Sequence, residues 1–425
     1  RPGGEVFDFI ESALTVDLAE VADYGRRRVL RFAMKFQQYT SPVMAKGFED
    51  TALYRYQRLA CLNDVGGDPR QFGMSVAAFH HANQQRARQW PHAMLTTATH
   101  DTKRGEDVRA RLAAITSVPN EWGREVRHWA RLNRPWKLPV QDRAAPSPAD
   151  EYLLYQTLIG AWLIELMEGA WDEGVAAEFV TRIQAYMTKA LREAKLNSSW
   201  NNPNTDYEDA TTQFVARILD RETGRLFLEA FLPLQRRVAE LGAHNSLVQL
   251  VLKLTCPGVP DIYQGCELWD LSLVDPDNRR PVDFRQRASL LEQVKTFDAM
   301  APPERATQLA AWREHWQDGA IKLHVLRRLL ALRAAHPELF AEGDYLPIEL
   351  DGVPTDSAMG FERVHGEKRL VVAAILRAGE AAGVSASLES ALLTLAPGSI
   401  HVLGGQPSPP ASLFEHLPVA VLLKE

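Results

Sequence analysis

Three short extended segments, each ending in charged or polar residues and each parted from the next by helical sequence, most narrow the architectures open to this chain. The first covers residues 39–45, where Pro42 and β-branched neighbours disfavour a helix interior, and Lys46-Gly47 closes it. The second, residues 93–99, is small, β-branched and apolar, as a strand covered on both faces would be. It runs straight into Thr99-His100-Asp101-Thr102-Lys103-Arg104-Gly105-Glu106-Asp107, which sets an imidazole, a carboxylate and an ammonium within four residues. The third, residues 259–263, ends beside Glu267. Strands that alternate with helices and carry polar groups at their carboxyl ends read as a fragment of an α/β barrel, whose sites lie at that edge.

The rest of the chain divides by pattern. From about residue 106 to 241 the sequence reads as helices. One helix carries Tyr152, Leu153, Tyr155, Ile159, Trp162, Leu163, Leu166 and Met167, and another carries Phe179, Ile183, Met187 and Leu191. The second ends at the loop Asn197-Ser198-Ser199-Trp200-Asn201-Asn202-Pro203-Asn204. After a helix over 321–335, residues 345–350, 359–364 and 369–375 read as strands of a β-rich terminal domain.

Both charge signs are interspersed, and a net charge of -6 offers no basic stripe, so a nucleic-acid partner is excluded. Cys61, Cys256 and Cys266 lack metal-ligand spacing, and an odd count points to a reducing compartment, hence the cytoplasm. Neither a catalytic metal nor an organic cofactor is expected, because no ligand-type spacing and no Gly-rich strand-to-helix turn occurs. No run approaches the eighteen apolar residues of a membrane span, and the opening Arg1-Pro2-Gly3-Gly4 reads as a processed or truncated beginning.

Three motifs together resemble the maltooligosyl trehalose synthases, members of the α-amylase superfamily of retaining glycosidases and transglycosylases. They are Pro42-Val43-Met44-Ala45-Lys46-Gly47-Phe48-Glu49-Asp50-Thr51-Ala52-Leu53-Tyr54-Arg55-Tyr56, then Asn63-Asp64-Val65-Gly66-Gly67-Asp68-Pro69, then Thr99-His100-Asp101-Thr102-Lys103-Arg104. The stretch from Pro257-Gly258-Val259-Pro260 to Glu267 and the stretch Asp275-Pro276-Asp277-Asn278-Arg279-Arg280-Pro281 are similar to the superfamily's eighth-strand region. The resemblance runs the length of the chain and is to the family's C-terminal portion. It implies an α/β fold: the C-terminal part of a (β/α)8 TIM barrel with a long helical insertion, followed by a small all-β C-terminal domain. The implied divisions are 1–105 with strands 6 and 7, 106–241 as insertion, 242–342 with strand 8, and 343–425 as the β domain. The family's nucleophile and general acid/base lie upstream of this sequence, so the resemblance also implies an N-terminal portion of the same enzyme as partner. Three barrel strands alone leave a parallel edge unpaired.

The implied reaction breaks the α-1,4 bond at the reducing end of a maltooligosaccharide and remakes it as α,α-1,1. Asp101 is then the third carboxylate, bonding ring hydroxyls of the sugar at the cleavage point, and His100 donates to the same sugar. Lys46 and Lys103 hold the released glucose while it turns. Glu49, Asp50 and Arg104 orient the lysines, Tyr54 and more weakly Tyr56 offer stacking faces, and Glu267 shapes the rim with residues 277–280. The Trp200 loop suits carbohydrate recognition. Plain structural readings stand beside these: solvated lysines, core tyrosines, and turn networks around Glu267. A hydrolase or another glucan transferase of the superfamily, or a non-catalytic glucan-binding module, are the competing readings.

Overall fold

Helices open the chain in the computed structural model, which describes residues 4–18, 25–167, 171–350, 353–354, 356–378, 384–385, 387–389, 392, 398–404, 406–407 and 413–424. Helix α1 spans Gly4–Leu14 and α2 spans Arg26–Gly47, continuing into a π-helical turn at Phe48–Ala52. Residues 39–45, expected to be extended, are therefore helical. Pro42 lies inside α2 on an exposed stretch, so the carbonyl it strips of a partner, that of Gln38, faces water instead of a core. Helix α3, Val76–Gln89, begins where the Ser75 side chain accepts the Ala78 N–H at 3.2 Å.

Strand β1 is only Met94–Leu95. Beyond it the chain leaves the ladder, with the Thr96 hydroxyl donating to the Ala98 carbonyl at 2.7 Å, so the expected run to residue 99 is cut short. A helical body follows: α4 (Glu106–Ala114), α5 (Pro119–Asn133), a hairpin of β2 (Leu138–Val140) and β3 (Arg143–Ala145), α6 (Pro148–Ala161), α7 (Glu173–Ala194), α8 (Thr205–Leu219) and α9 (Arg225–Thr255). Side chains of Ser147, Asp172 and Asn204 cap α6, α7 and α8. These helices bury an aromatic cluster, with Phe231 centred 5.3 Å from Trp129 and 4.9 Å from Trp162. Such ring pairs contribute roughly 0.5–1.5 kcal/mol beyond their buried area. Helix α9 passes through residue 241 unbroken, and at Gly242 it lies so close to α4 that an added Cβ would meet Arg111 Cγ at 2.4 Å.

From α9 the chain enters β4, Val259–Pro260, which pairs in parallel with β1 in the register Met94↔Val259 and Leu95↔Pro260. Gly258 makes that approach possible. Its φ is +126°, and a Cβ there would sit 2.7 Å from the Ala93 carbonyl oxygen. Gly258→Ala is expected to destabilise the protein by about 1–3 kcal/mol, read as a lowered urea midpoint at unchanged slope. An unchanged midpoint would show that β4 docks without this contact. Among the described residues the parallel sheet holds two strands and does not close into a barrel.

Helices α10 (Phe284–Lys295), α11 (Pro302–Glu314), α12 (Ala320–Ala335) and α13 (Pro337–Ala341) precede an antiparallel sheet. Its strands are β5 (Asp344–Pro347), β6 (Ala358–His365), β7 (Lys368–Ile375), β8 (Ile400–His401), β9 (Gln406–Pro407) and β10 (Val419–Lys424), ordered β5-β6-β7-β10-β8-β9. Strands read from the sequence at 345–350, 359–364 and 369–375 fall on β5, β6 and β7. Both sheet faces are covered, so the alternation is apolar on both sides: Phe361, Val372 and Val421 pack with α9 and α12, while Val371, Ala373 and Leu422 pack with Leu388 and Leu392. No described helix is long and apolar enough to cross a membrane.

Candidate functional site

The chain leaving β1 forms an exposed corner at His100 and Asp101, then dives inward at Lys103 and Arg104. Local bonds set its shape. The Thr99 hydroxyl accepts the Asp101 N–H at 3.1 Å, and the Thr102 hydroxyl donates to the Thr99 carbonyl at 2.9 Å. Distant residues clamp it: Asn278 Nδ2 donates to the His100 and Thr99 carbonyls at 2.9 and 3.3 Å, and Asp64 Oδ1 accepts the Lys103 N–H at 3.1 Å. Arg109 pairs with the other Asp64 oxygen at 3.2 Å. With backbone fixed on both sides, the Asp101 and His100 side chains stand in solvent at the carboxyl end of β1.

Lys46 and Lys103 meet there. Lys46 arrives on the last turn of α2, and Asp50 on the π-helical turn accepts from both ammonium groups, from Lys103 Nζ at 2.8 Å. The two lysines differ in exposure, at 76% for the Lys46 side chain and 6% for that of Lys103. Burial pushes the Asp50 carboxyl up, but the bonds from Lys103 and Lys46 outweigh it and hold the group below its ordinary value. The bond and charge of Asp50, with smaller help from Glu193 and Asp101, raise Lys46. The result is a carboxylate flanked by two ammoniums, one buried and one exposed, beside an exposed carboxylate and imidazole. Such a rim donates to sugar hydroxyls from the lysines and accepts from them at Asp101.

Other candidate residues have different partners. Glu49 accepts the Gly66 N–H at 3.0 Å instead of bonding a lysine, tying the π-helical turn to the loop before α3. Arg104 is buried and donates to the Tyr186 hydroxyl at 2.6 Å and the Ala60 carbonyl at 3.3 Å, so it braces the loop against α7 and does not orient Lys46 or Lys103. Tyr54, 6% exposed, belongs to the helical core, where burial and the neighbouring Tyr186 push its phenol well up. Glu267 accepts from the Gly265 N–H at 3.0 Å and Arg287 Nε at 3.1 Å, a closed turn network. Trp200 lies under the Arg192 guanidinium at 4.9 Å, and Asn204 of the same loop caps α8.

Sequence reasoning missed a buried charge cluster directly behind the loop. Lys322 Nζ on α12 donates to Glu106 Oε1, Asp107 Oδ2 and the Leu268 carbonyl at 2.9, 2.8 and 2.9 Å. Lys253 Nζ on α9 donates to Thr97 Oγ1 at 2.7 Å and reaches Glu106 Oε2 at 3.3 Å, and the Thr97 hydroxyl donates to Glu106 as well. Burial pushes Glu106 up, but the charges of Lys322 and Lys253 hold it down at about 2. Burial pushes Asp107 up, while the two carboxylates overcome desolvation of Lys322 and raise it. The signal in the sequence is a lone lysine inside an apolar helical run, Leu250-Val251-Leu252-Lys253-Leu254 and Ala320-Ile321-Lys322-Leu323. No described group of three or more His, Cys, Asp or Glu side chains forms a metal cage.

No family model matches the chain. A curated protein of Mycobacterium tuberculosis named a maltooligosyl trehalose synthase is 40% identical over 334 residues, 78% of this chain. The chain is a relative of the maltooligosyl trehalose synthases. Solved structures agree. The maltooligosyltrehalose synthase of Arthrobacter ramosus aligns with a TM-score of 0.72 at 32% identity over 96% of this chain and 50% of its own. A Sulfolobus tokodaii protein described as a hypothetical maltooligosyl trehalose synthase aligns with a TM-score of 0.71 at 30% identity over 96% of this chain and 50% of its own. The chain spans 37% of the length of the curated relative and about half that of the solved synthases.

Proposed function

We propose that the chain is the C-terminal portion of an intramolecular glucosyltransferase, which moves the reducing-end glucose of a maltooligosaccharide from an α-1,4 to an α,α-1,1 linkage. The observation that carries this reading is the Lys46–Asp50–Lys103 arrangement beside Asp101 and His100, in a relative of the synthases. Transfer within one substrate requires that the cleaved glucose neither escape nor give way to water. Two ammoniums on one carboxylate suit that task, because Lys46 is exposed to an incoming sugar while Lys103 is buried behind it. Asp101 bonds the hydroxyls of the sugar that gains oxocarbenium character, and His100 donates to it.

In this reading, the nucleophile and the acid/base carboxyl come from an N-terminal portion of the same enzyme. The β1–β4 pair is then the end of a (β/α)8 barrel whose other strands that portion supplies. The greater length of the relatives supports this, as do the apolar side chains exposed on α1 and α2, among them Phe7, Phe9, Phe32 and Phe36. The setting is a soluble, cytoplasmic one, with a maltooligosaccharide as ligand.

The deciding experiment incubates the full-length protein with maltopentaose and follows reducing ends and product mass together. Loss of reducing ends at unchanged mass is expected. New reducing ends with shorter products would make it a hydrolase, and saturable binding with no change in either would leave a glucan-binding module.

A further inference from the structure

A cleft of about 460 Å³, lined in part by Asn278, opens between the segment after α6, the loops following β4 and the start of α12. None of Lys46, Asp50, Asp101 and Lys103 lines it. Its volume falls within the roughly 300–1,000 Å³ of small-molecule sites.

The chemistry of its wall is selective. Leu163, Ile164 and Leu268 give it apolar surface beside Trp269, whose indole N–H is anchored on the Trp316 carbonyl at 2.8 Å and whose ring lies 5.5 Å from Lys322 Nζ. An aromatic plane held from two sides is a rigid platform. Around it, carboxylates outnumber guanidiniums five to two, and both guanidiniums are already committed, Arg280 to Asp277 and Arg287 to Glu267. That balance repels phosphates and other anions. The side chains of Gln264, Gln286 and Glu165 line the cleft, are exposed, and make no hydrogen bond among the described residues. Asp283 and Asp318 each use only one oxygen, Oδ1, on helix-starting N–H groups, and the other oxygen has no partner among the described residues. Two unbonded amides, one unbonded carboxylate and two further carboxylate oxygens facing an apolar, aromatic wall match a neutral polyhydroxylated ring, which has hydroxyls at its edge and C–H groups on its face.

We infer that this cleft is a second α-glucan-binding site, separate from the Asp101 rim and taking a short run of glucose units. The choice of α-glucan among neutral glycans rests on the proposed function; the recognition of a neutral polyol does not. Because Asn278 lines the cleft and also carries the carbonyls of Thr99 and His100, occupancy there stiffens the loop that presents Asp101.

The test counts ligands. Full-length protein carrying Asp101→Asn, in which turnover is expected to be slowed about 10²–10³-fold, is titrated calorimetrically with maltotriose, with and without the added pair Gln264→Ala and Gln286→Ala. Both glutamines are exposed and unbonded among the described residues, and melting temperatures of the two proteins, measured alongside, separate loss of a site from loss of the fold. One bound maltotriose fewer per chain, or affinity for one site weakened at least tenfold, is expected from the pair. Equal stoichiometry and affinity in the two proteins, or no saturable binding in either, overturns the proposal. Transfer of linkage is assayed separately with Asp101 intact. A protein without transfer but with the glutamine-dependent site would sink the proposed reaction and keep this one.

Discussion

Asp101→Asn in the full-length protein is expected to lower kcat on maltopentaose about 10²–10³-fold, the usual cost of removing one preorganised charged partner of a developing transition state. The Michaelis constant should move only a few-fold, because an asparagine still bonds ring hydroxyls in the ground state. What it lacks is the negative charge that rewards oxocarbenium character. The fold should be untouched: Asp101 is exposed, and its loop is shaped by Thr99, Thr102, Asp64 and Asn278, none of which bonds its carboxylate. Melting temperature and kcat measured on the same preparation therefore separate the two effects. Near-normal kcat would remove Asp101 from the reacting sugar, and a matching fall in stability would reassign it to the loop.

Legibility of this site from sequence follows the range of the interactions that build it. Thr99 to Lys103 was readable because the corner is made by bonds between residues two and three apart. The Asp50 link to Lys46 is likewise an i,i+4 pair on one helical face. Glu49 and Arg104 carried the right charge for the same task, but their partners, Gly66 and Tyr186, come from loops and helices whose approach no local pattern announces. The error at residues 39–45 is of another kind. Proline and β-branched residues weigh against a helix only where the lost backbone bond is costly, and on an exposed stretch of α2 water takes it over. Short strands were misjudged in length for a related reason, since a strand extends only as far as its neighbour, and β1 and β4 share two residue pairs. The terminal strands were read well because hairpin-connected β6 and β7 pair over eight consecutive residues.

Lys322→Met is expected to destabilise the protein by about 3–5 kcal/mol at pH 7, since removing one partner from a buried ionic cluster leaves charge uncompensated. Lys322 is 0% exposed, and methionine keeps most of its length, so the loss is one of charge and three hydrogen bonds more than of volume. Lys253 then remains beside the two carboxylates and reaches only Glu106, which leaves Asp107 without an ammonium partner in the cluster. Asp107, already pushed above its ordinary value by burial, rises further, and the variant's folded state binds a proton more tightly than its unfolded state. A group with a raised folded pKa is fully stabilising below its unfolded value and loses that contribution as pH rises through the folded one. The variant should thus recover stability as pH falls from 7 toward 4.5. Over that window Glu106 of the parent protein, held at about 2 against an unfolded value of 4.5, remains ionised, and the parent gains nothing from it. Urea unfolding of both proteins at pH 7 and pH 4.5 checks this: the gap between them should shrink to less than half. A gap that is constant or grows on acidification would mean that Asp107 does not depend on Lys322 for its charge, and that packing of α12 against α9, not the ion cluster, holds this region together.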